Sequence, residues 1–193
     1  MKVSRERMQA NRRRILDAAG RLFREKGFDA VGVAEVMKAA GLTHGGFYGH
    51  FESKDDLIAQ SIAHVFGGGA PGTGHADLQA YLDDYLSTRH RDGVAEGCPT
   101  AALVADIRRQ TPAARQAMAE GFGAQIDRMA AALSKTESPD VRREAVGILA
   151  SLVGALVLAR TIDDPALSAE ILQDTRAWIG DRTRAPSPPV PGL

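Results

Sequence analysis

Cysteine is almost missing from this 193-residue chain: Cys98 is the only one. No disulfide can close within the chain, and a reducing compartment suits it. No apolar run reaches the ~20 residues needed to span a bilayer. The longest, Ala145–Ala159, stops at 15 with Ser151 inside it. No apolar stretch precedes Ile15, so no signal peptide is expected, and the expected location is cytoplasmic with no membrane partner. Net charge is absent too, 24 Lys/Arg against 24 Asp/Glu, which excludes a uniformly basic polyanion binder. The charge is unevenly placed, however. Met1–His50 holds ten Lys/Arg against five Asp/Glu, leaving 14 against 19 beyond it. A basic head on an acidic body suggests that the head faces a polyanion.

Strand-like alternation is the next absence, and everything periodic has the helical spacing. Ile15, Ala18, Ala19, Leu22 and Phe23 form one apolar stripe on a first helix that Gly27 stops. Val33, Val36, Met37 and Ala40 repeat the pattern in a shorter helix ended by Gly41. "SKDDL" places Ser53 three residues before Asp56, a capping-box-like start to a further helix with Leu57, Ile58, Ser61, Ile62, Val65 and Phe66 inward. "GGGAPGTG", Gly67–Gly74, reads as the loop between a small domain and a larger one. Beyond it, Leu78–Leu86 marks a fifth helix and "HRDGVAEGCP" a loop. Pro99, Thr111-Pro112, the segment after Pro139 and Asp164-Pro165 open four more. The expected fold is all-α with about nine helices. Residues 1–53 are expected to form a small domain of three helices, 54–66 a connecting helix, 75–184 a larger helical domain, and 185–193, "APSPPVPGL", a disordered tail.

Aromatics make up 5% of the chain, yet three of them crowd into "AGLTHGGFYGHFESK", Ala40–Lys54, beside Gly45, Gly46 and Gly49. Each glycine costs a helix about 1 kcal/mol relative to alanine, so the segment is weak and needs its rings as anchors. Two short helices joined by "AGLT" have helix-turn-helix spacing. Gly41 turns the chain, Leu42 packs between the helices and Thr43 caps the second. Phe47 and Phe51, four apart, anchor that helix, leaving His44, Gly45, Tyr48 and part of Gly49 outward. A recognition helix enters the major groove with its N-terminal residues leading. A face stripped to glycine lets the backbone approach phosphates and base edges closely. Lys54, a cation at the positive end of the next helix, fits a phosphate placed there.

From Arg13 to Phe66 the chain resembles the DNA-binding domain of the TetR family of transcriptional regulators. The resemblance lies in "F-x-x-x-G-F" at the end of the first helix, the "A-G-L-T" turn, "F-Y-x-H-F" in the recognition helix and the "S-K-D-D-L" cap. It implies a homodimer joined through helices around 141–161 and 165–182, a palindromic double-stranded DNA operator, and a small-molecule effector held among the middle helices. It also implies DNA contacts by Thr43, His44, Tyr48, His50 and Lys54, with Gly45 and Gly46 as close-approach positions. Arg12, Arg13 and Arg14 are further phosphate candidates. The chain departs from the family pattern at Val31 and Gly32, where hydroxyl residues are usual, and at His44, Gly46 and Gly49, where larger or basic side chains are common. Direct base reading is expected to be thin, with reliance on backbone contacts and DNA shape.

In the body, "REAVGILASLVGALVLAR" is apolar almost all round, and Gly147, Ala150, Ser151, Gly154 and Ala155 permit close approach of another helix. Tyr81, Tyr85, Met118 and Phe122 supply candidate ligand-lining surface, and Cys98 joins them. Cys98 precedes the helix-opening Pro99, where the helix N-terminus favours a thiolate, while Glu96 opposes it. The leading function is a ligand-responsive regulator, a repressor released by its effector. The alternatives are a cysteine-based electrophile or redox sensor on the same fold, or an activator. Catalysis by Cys98 would need His90 as base, and no third member is evident. The five histidines show no ligand spacing on one helix, so no metal or cofactor is expected.

Overall fold

The computed structural model of the chain describes residues 5–68, 78–133 and 140–183. Among them every regular element is helical: α1 (Arg5–Lys26), α2 (Val33–Ala39), a 3-10 segment (His44–Gly49), α3 (Lys54–Gly67), α4 (Leu78–Tyr85), α5 (Thr88–Asp92), a 3-10 turn (Val94–Glu96), α6 (Pro99–Ile107), α7 (Pro112–Leu133), α8 (Val141–Thr161) and α9 (Pro165–Thr183). Most of the glycine-rich stretch between α3 and α4, and the whole of 185–193, lie outside the described residues.

Helix ends follow local chemistry. Gly27 at φ +80 ends α1, its N–H donating to Phe23 O at 2.8 Å. Gly41, at φ +67, follows α2 in a Schellman arrangement: Gly41 N–H donates to Lys38 O at 3.0 Å and Leu42 N–H to Met37 O at 2.9 Å. Ser53 accepts from Asp56 N–H at 3.0 Å, and Asp56 Oδ2 accepts from Glu52 N–H at 3.1 Å. Asp164 caps α9 through Ala166 N–H at 2.8 Å.

Two apolar clusters form the core. The first joins α1, α2, the 3-10 segment and α3, and takes in Leu103, Ile107, Ala114 and Met118 from α6 and α7. The second unites α4, Cys98, the latter half of α7, α8 and α9. α7 therefore runs through both, with α3 packed along it and α8 packed against α7 and α9. Fitting α3 to α7 requires Gly121, whose position allows no Cβ beside the Phe66 ring. α8 is long and apolar enough to cross a membrane by length and composition. Its face of Ala145, Ile148, Leu149, Leu152, Ala155, Leu156 and Ala159 is spent on the second cluster instead.

Two expectations change. The expected recognition helix is a six-residue 3-10 segment, because its three glycines withhold α-helical propensity. The expected loop 90–99 takes in the last three residues of α5 and a 3-10 turn, with Ser87 capping α5 through His90 N–H at 3.1 Å.

Candidate functional site

The 3-10 segment is held from one side. Phe47 is 1% exposed and its ring stacks on Phe51 at 5.7 Å between centroids. With three residues per turn, His44, Phe47 and His50 share one line, Gly45 and Tyr48 a second, Gly46 and Gly49 a third. Only the first line carries a buried side chain, Phe47. Tyr48, at 73% exposure, stands clear of the surface. Thr43, His44, Gly45 and Gly46 are exposed, and His50 and Lys54 half-buried. These seven candidate DNA contacts thus lie along one short stretch. Thr43 occupies the N-cap with extended backbone, but its side chain accepts no capping bond, which corrects the capping role expected for it.

Arg12 departs from the phosphate role suggested for it. Its Nη1 donates to His50 O at 2.9 Å, its other terminal nitrogen pairs with Gln60, and the guanidinium lies 4.6 Å over the Phe51 ring. It ties α1 to the recognition segment. Arg13 and Arg14 remain exposed. Val31, where the family pattern has a hydroxyl, is fully buried in the first cluster, and Gly32 N-caps α2 without a side-chain bond.

In the body a second group of polar side chains is buried around Cys98. His90 Nδ1 lies 2.7 Å from Tyr85 O, which can only accept, so Nδ1 carries the proton. Nε2 then accepts from Cys98 N–H at 2.9 Å. Both ring nitrogens are thereby used by main chain, and neither is left to take a proton from the Cys98 thiol. This removes the nucleophile–base pairing that the sequence allowed. Arg160 of α8 donates to His90 O at 2.8 Å and Arg91 O at 2.9 Å. Gly97 has to be glycine here: a Cβ would lie 2.9 Å from Arg160 Nη2 and 3.0 Å from the His90 ring.

The buried group is short of acceptors. Tyr85 Oη has no oxygen or nitrogen partner among the described residues and lies beside the Cys98 thiol; Arg160 Nη1 and Arg24 Nη1 are also buried without partners. Burial, then the neighbouring Cys98, pushes the Tyr85 hydroxyl pKa well up, and burial lowers that of Arg160. Tyr81 packs on Tyr85 at 5.7 Å. Of the five expected ligand-lining residues, Tyr81, Tyr85, Cys98 and Phe122 belong to this second cluster. Met118 does not. It packs in the first cluster, because α7 spans both and Met118 lies in its first half. His90, named in the sequence only as a base that Cys98 would need, and Arg160 are not among the expected ligand-lining residues. Only the first offered a signal, as the histidine nearest Cys98 in sequence.

The segment carrying Cys98 also touches the basic head. Arg24 Nε donates to Ala95 O at 2.6 Å, and Arg21 pairs with Glu96 at 2.7 Å. Hydrogen bonds thus run from α8 through Arg160, the 90–98 segment and Arg24 to α1.

Burial, more than the opposing bond to Tyr85 O, lowers the His90 pKa from 6.5, with Arg160 and Arg89 lowering it and Asp84 raising it. A lowered folded-state value means that the unfolded chain binds the proton first as pH falls. The His90 contribution is therefore fully present above pH 6.5 and is lost as pH drops below that value towards the folded pKa. Urea midpoints measured from pH 7.5 to 5 are expected to fall below 6.5 in the wild type and to fall less in His90→Gln. His50, also lowered by burial, acts equally in both proteins. Parallel curves would remove the role given to His90.

Residues 15–60 match the family described as bacterial regulatory proteins, tetR family, and residues 75–169 match the C-terminal domain of LmrA/YxaF-like transcriptional regulators. An HTH-type transcriptional repressor of Mycobacterium tuberculosis is 43% identical over 57 residues, covering 30% of this chain and 30% of its own length. Less than a third of that relative is spanned. An uncharacterised HTH-type transcriptional regulator of the same organism is 27% identical over 171 residues, covering 81% of this chain and 88% of its own. The crystal structure of Escherichia coli NemR in its reduced form superimposes with a TM-score of 0.74 at 23% identity, covering 93% of this chain and 99% of that one, a likeness of fold. One model over the helix-turn-helix and a second over most of the body agree with each other and with the fold, and the chain belongs to the TetR family of transcriptional regulators.

Proposed function

We propose that this DNA-binding regulator is a homodimeric repressor that holds a palindromic double-stranded operator and releases it when a small-molecule effector enters the body. The observation that carries the reading is the recognition segment itself, anchored through buried Phe47 while Tyr48 stands 73% exposed. The repressor sign is supported by the repressor name of a relative 43% identical over 57 residues. An effector is supported by the buried donors Tyr85 Oη and Arg160 Nη1, which have no oxygen or nitrogen partner among the described residues, since a ligand oxygen there would satisfy what the protein leaves open. The hydrogen-bonded route through Arg160, Ala95 and Arg24 gives such a ligand a path to α1. A soluble, cytoplasmic regulator fits this reading.

Dimerisation is supported by the outer faces of α8 and α9. Val146 and Leu158 on α8, and Leu167 and Trp178 on α9, are large apolar side chains at 42–53% exposure. Gly147 and Gly154, seven apart on α8, have nothing within 4 Å of where a Cβ would stand, so a second helix can come close. Two recognition segments then sit on one duplex about one turn apart, as half-site spacing requires.

The electrophile-sensor reading ranks second. Tyr85, Arg160 and Arg24 all lie within electrostatic reach of Cys98, but the thiol is 1% exposed, and a reactive sensor needs access.

The test is competition binding with fragments that include the region upstream of the protein's own gene, over a salt series. The full chain is expected to retain one fragment selectively, with affinity falling steeply as salt rises. Tyr48→Ala is expected to lose about tenfold or more in affinity at unchanged thermal stability, because its ring is exposed. Equal retention by the wild type and Tyr48→Ala would refute the assignment of this face to DNA.

A further inference from the structure

Several of the described glycines are held by the fold, and others, Gly32, Gly67, Gly123, Gly147 and Gly154 among them, have open space where a Cβ would stand. Gly27 and Gly41 have positive φ, and Gly20, Gly97 and Gly121 face neighbours that leave no room for a Cβ. The fold requires those. Gly45 and Gly49 are different: both are exposed, neither has positive φ, and nothing lies within 4 Å of where a Cβ would stand. Alanine would fit at either position and would raise helix propensity, since glycine is the weakest helix former after proline. The fold gains nothing from glycine at these two positions and loses helical order by it. Gly123, inside α7 and away from this segment, offers a comparison, because nothing lies within 4 Å of where its Cβ would stand either.

The two lines of the 3-10 segment that carry no buried residue hold Gly45, Tyr48, Gly46 and Gly49. One side chain, Tyr48, therefore stands on an otherwise bare stretch of main chain. Bidentate base reading needs Arg, Lys, Asn or Gln reaching the groove edges, and His44–Gly49 contains none of them.

Resting on the DNA-binding reading above, the geometry points to Gly45 and Gly49 as determinants of operator recognition: they keep the segment free of Cβ atoms so that its main chain meets the duplex directly. Tyr48 and, at the start of the segment, His44 are then its side-chain probes. Sequence preference at the base pairs it faces comes mainly from DNA shape and deformability, which set how closely backbone and groove can approach. Adding a methyl group at 45 or 49 would hold the two surfaces apart. Adding one at 123 would leave this segment unchanged.

The experiment uses the full-length protein and a pool of duplexes with a random 24-base-pair centre, about two turns of DNA so that both half-sites fit. Duplexes retained by the wild type are sequenced. Affinities for the best of them are then measured for wild type, Gly45→Ala, Gly49→Ala and Gly123→Ala, with a thermal melt of each. Gly45→Ala and Gly49→Ala are expected to melt no lower than wild type yet to bind about tenfold or more weakly, and Gly123→Ala to stay within about threefold. Alanine variants at 45 and 49 that bind as tightly as wild type, or more tightly because the helix is pre-organised, would overturn the proposal while leaving DNA binding in place. A wild type that retains no duplex would overturn the DNA-binding reading, and this proposal with it.

Discussion

Replacing Phe47 with alanine is expected to cost about 3–5 kcal/mol, the usual penalty for emptying a buried aromatic site, and to abolish operator binding. The ring is 1% exposed, stacks on Phe51 at 5.7 Å and meets Tyr48 edge-on at 5.2 Å. Half of the six residues in the segment are glycine, so no other side chain in it is fully buried to hold it down. Arg12, over the Phe51 ring, adds to the clamp, but a half-buried cation over a ring contributes only about 1 kcal/mol. Urea unfolding of the full chain, monitored by circular dichroism, reads the stability loss. Binding is then measured at a temperature where the variant is still folded. The neighbouring Tyr48→Ala provides the contrast, with binding lost and stability kept. If Phe47→Ala left the urea midpoint unchanged, the anchoring role would be wrong.

Gly121→Ala is expected to be the most damaging small change in the body. The added Cβ would stand 2.7 Å from Phe66 Cε2 and closer still to Cγ and Cδ2. Rotation about χ2 alone cannot clear it, because Cγ does not move in that rotation. Phe66 must shift bodily, and it sits near the C-terminal end of α3, the helix that follows the recognition segment and packs along α7. Overpacking of this kind costs about 1–3 kcal/mol. Relief by moving α3 would in addition change how the basic head sits on the body, so operator affinity should fall beyond what the lost stability explains. In a Phe66→Ala background, where Cγ and the ring are gone, Gly121→Ala should cost much less than in the wild type, an interaction of residues in contact that a double-mutant cycle reads directly. Strict additivity of the two changes would contradict the contact.

Much of the architecture is readable along the chain. The all-helical class comes from apolar spacing. The helix starts at Ser53, Pro99, Pro112 and Pro165 and the stops at Gly27 and Gly41 lie where the structure places them. The candidate DNA contacts can be gathered because a helix-turn-helix is local, with its chemistry inside fifteen residues. The body is less readable. Tyr85 and Cys98 stand out in the sequence, but nothing there assigns His90 and Arg160 to their surroundings, and Met118 groups with the wrong cluster.

The division has a physical cause. Caps, positive-φ glycines and amphipathic stripes act within one or two turns, so a linear reading sees both partners of each interaction, and the sequence by itself determined the class, the helix starts and stops named above and the turn. The tertiary structure decided what depends on partners distant in the chain. Arg12 turns inward because His50 O and Gln60, 38 and 48 residues away, accept from it. Arg160 reaches back 69 and 70 residues to Arg91 O and His90 O, and Arg24 forward 71 to Ala95 O. Even the recognition segment belongs to this second group. Its glycines set its weakness, but whether six residues with so little helix propensity hold any helical form is settled by the packing of Phe47 against the first core cluster.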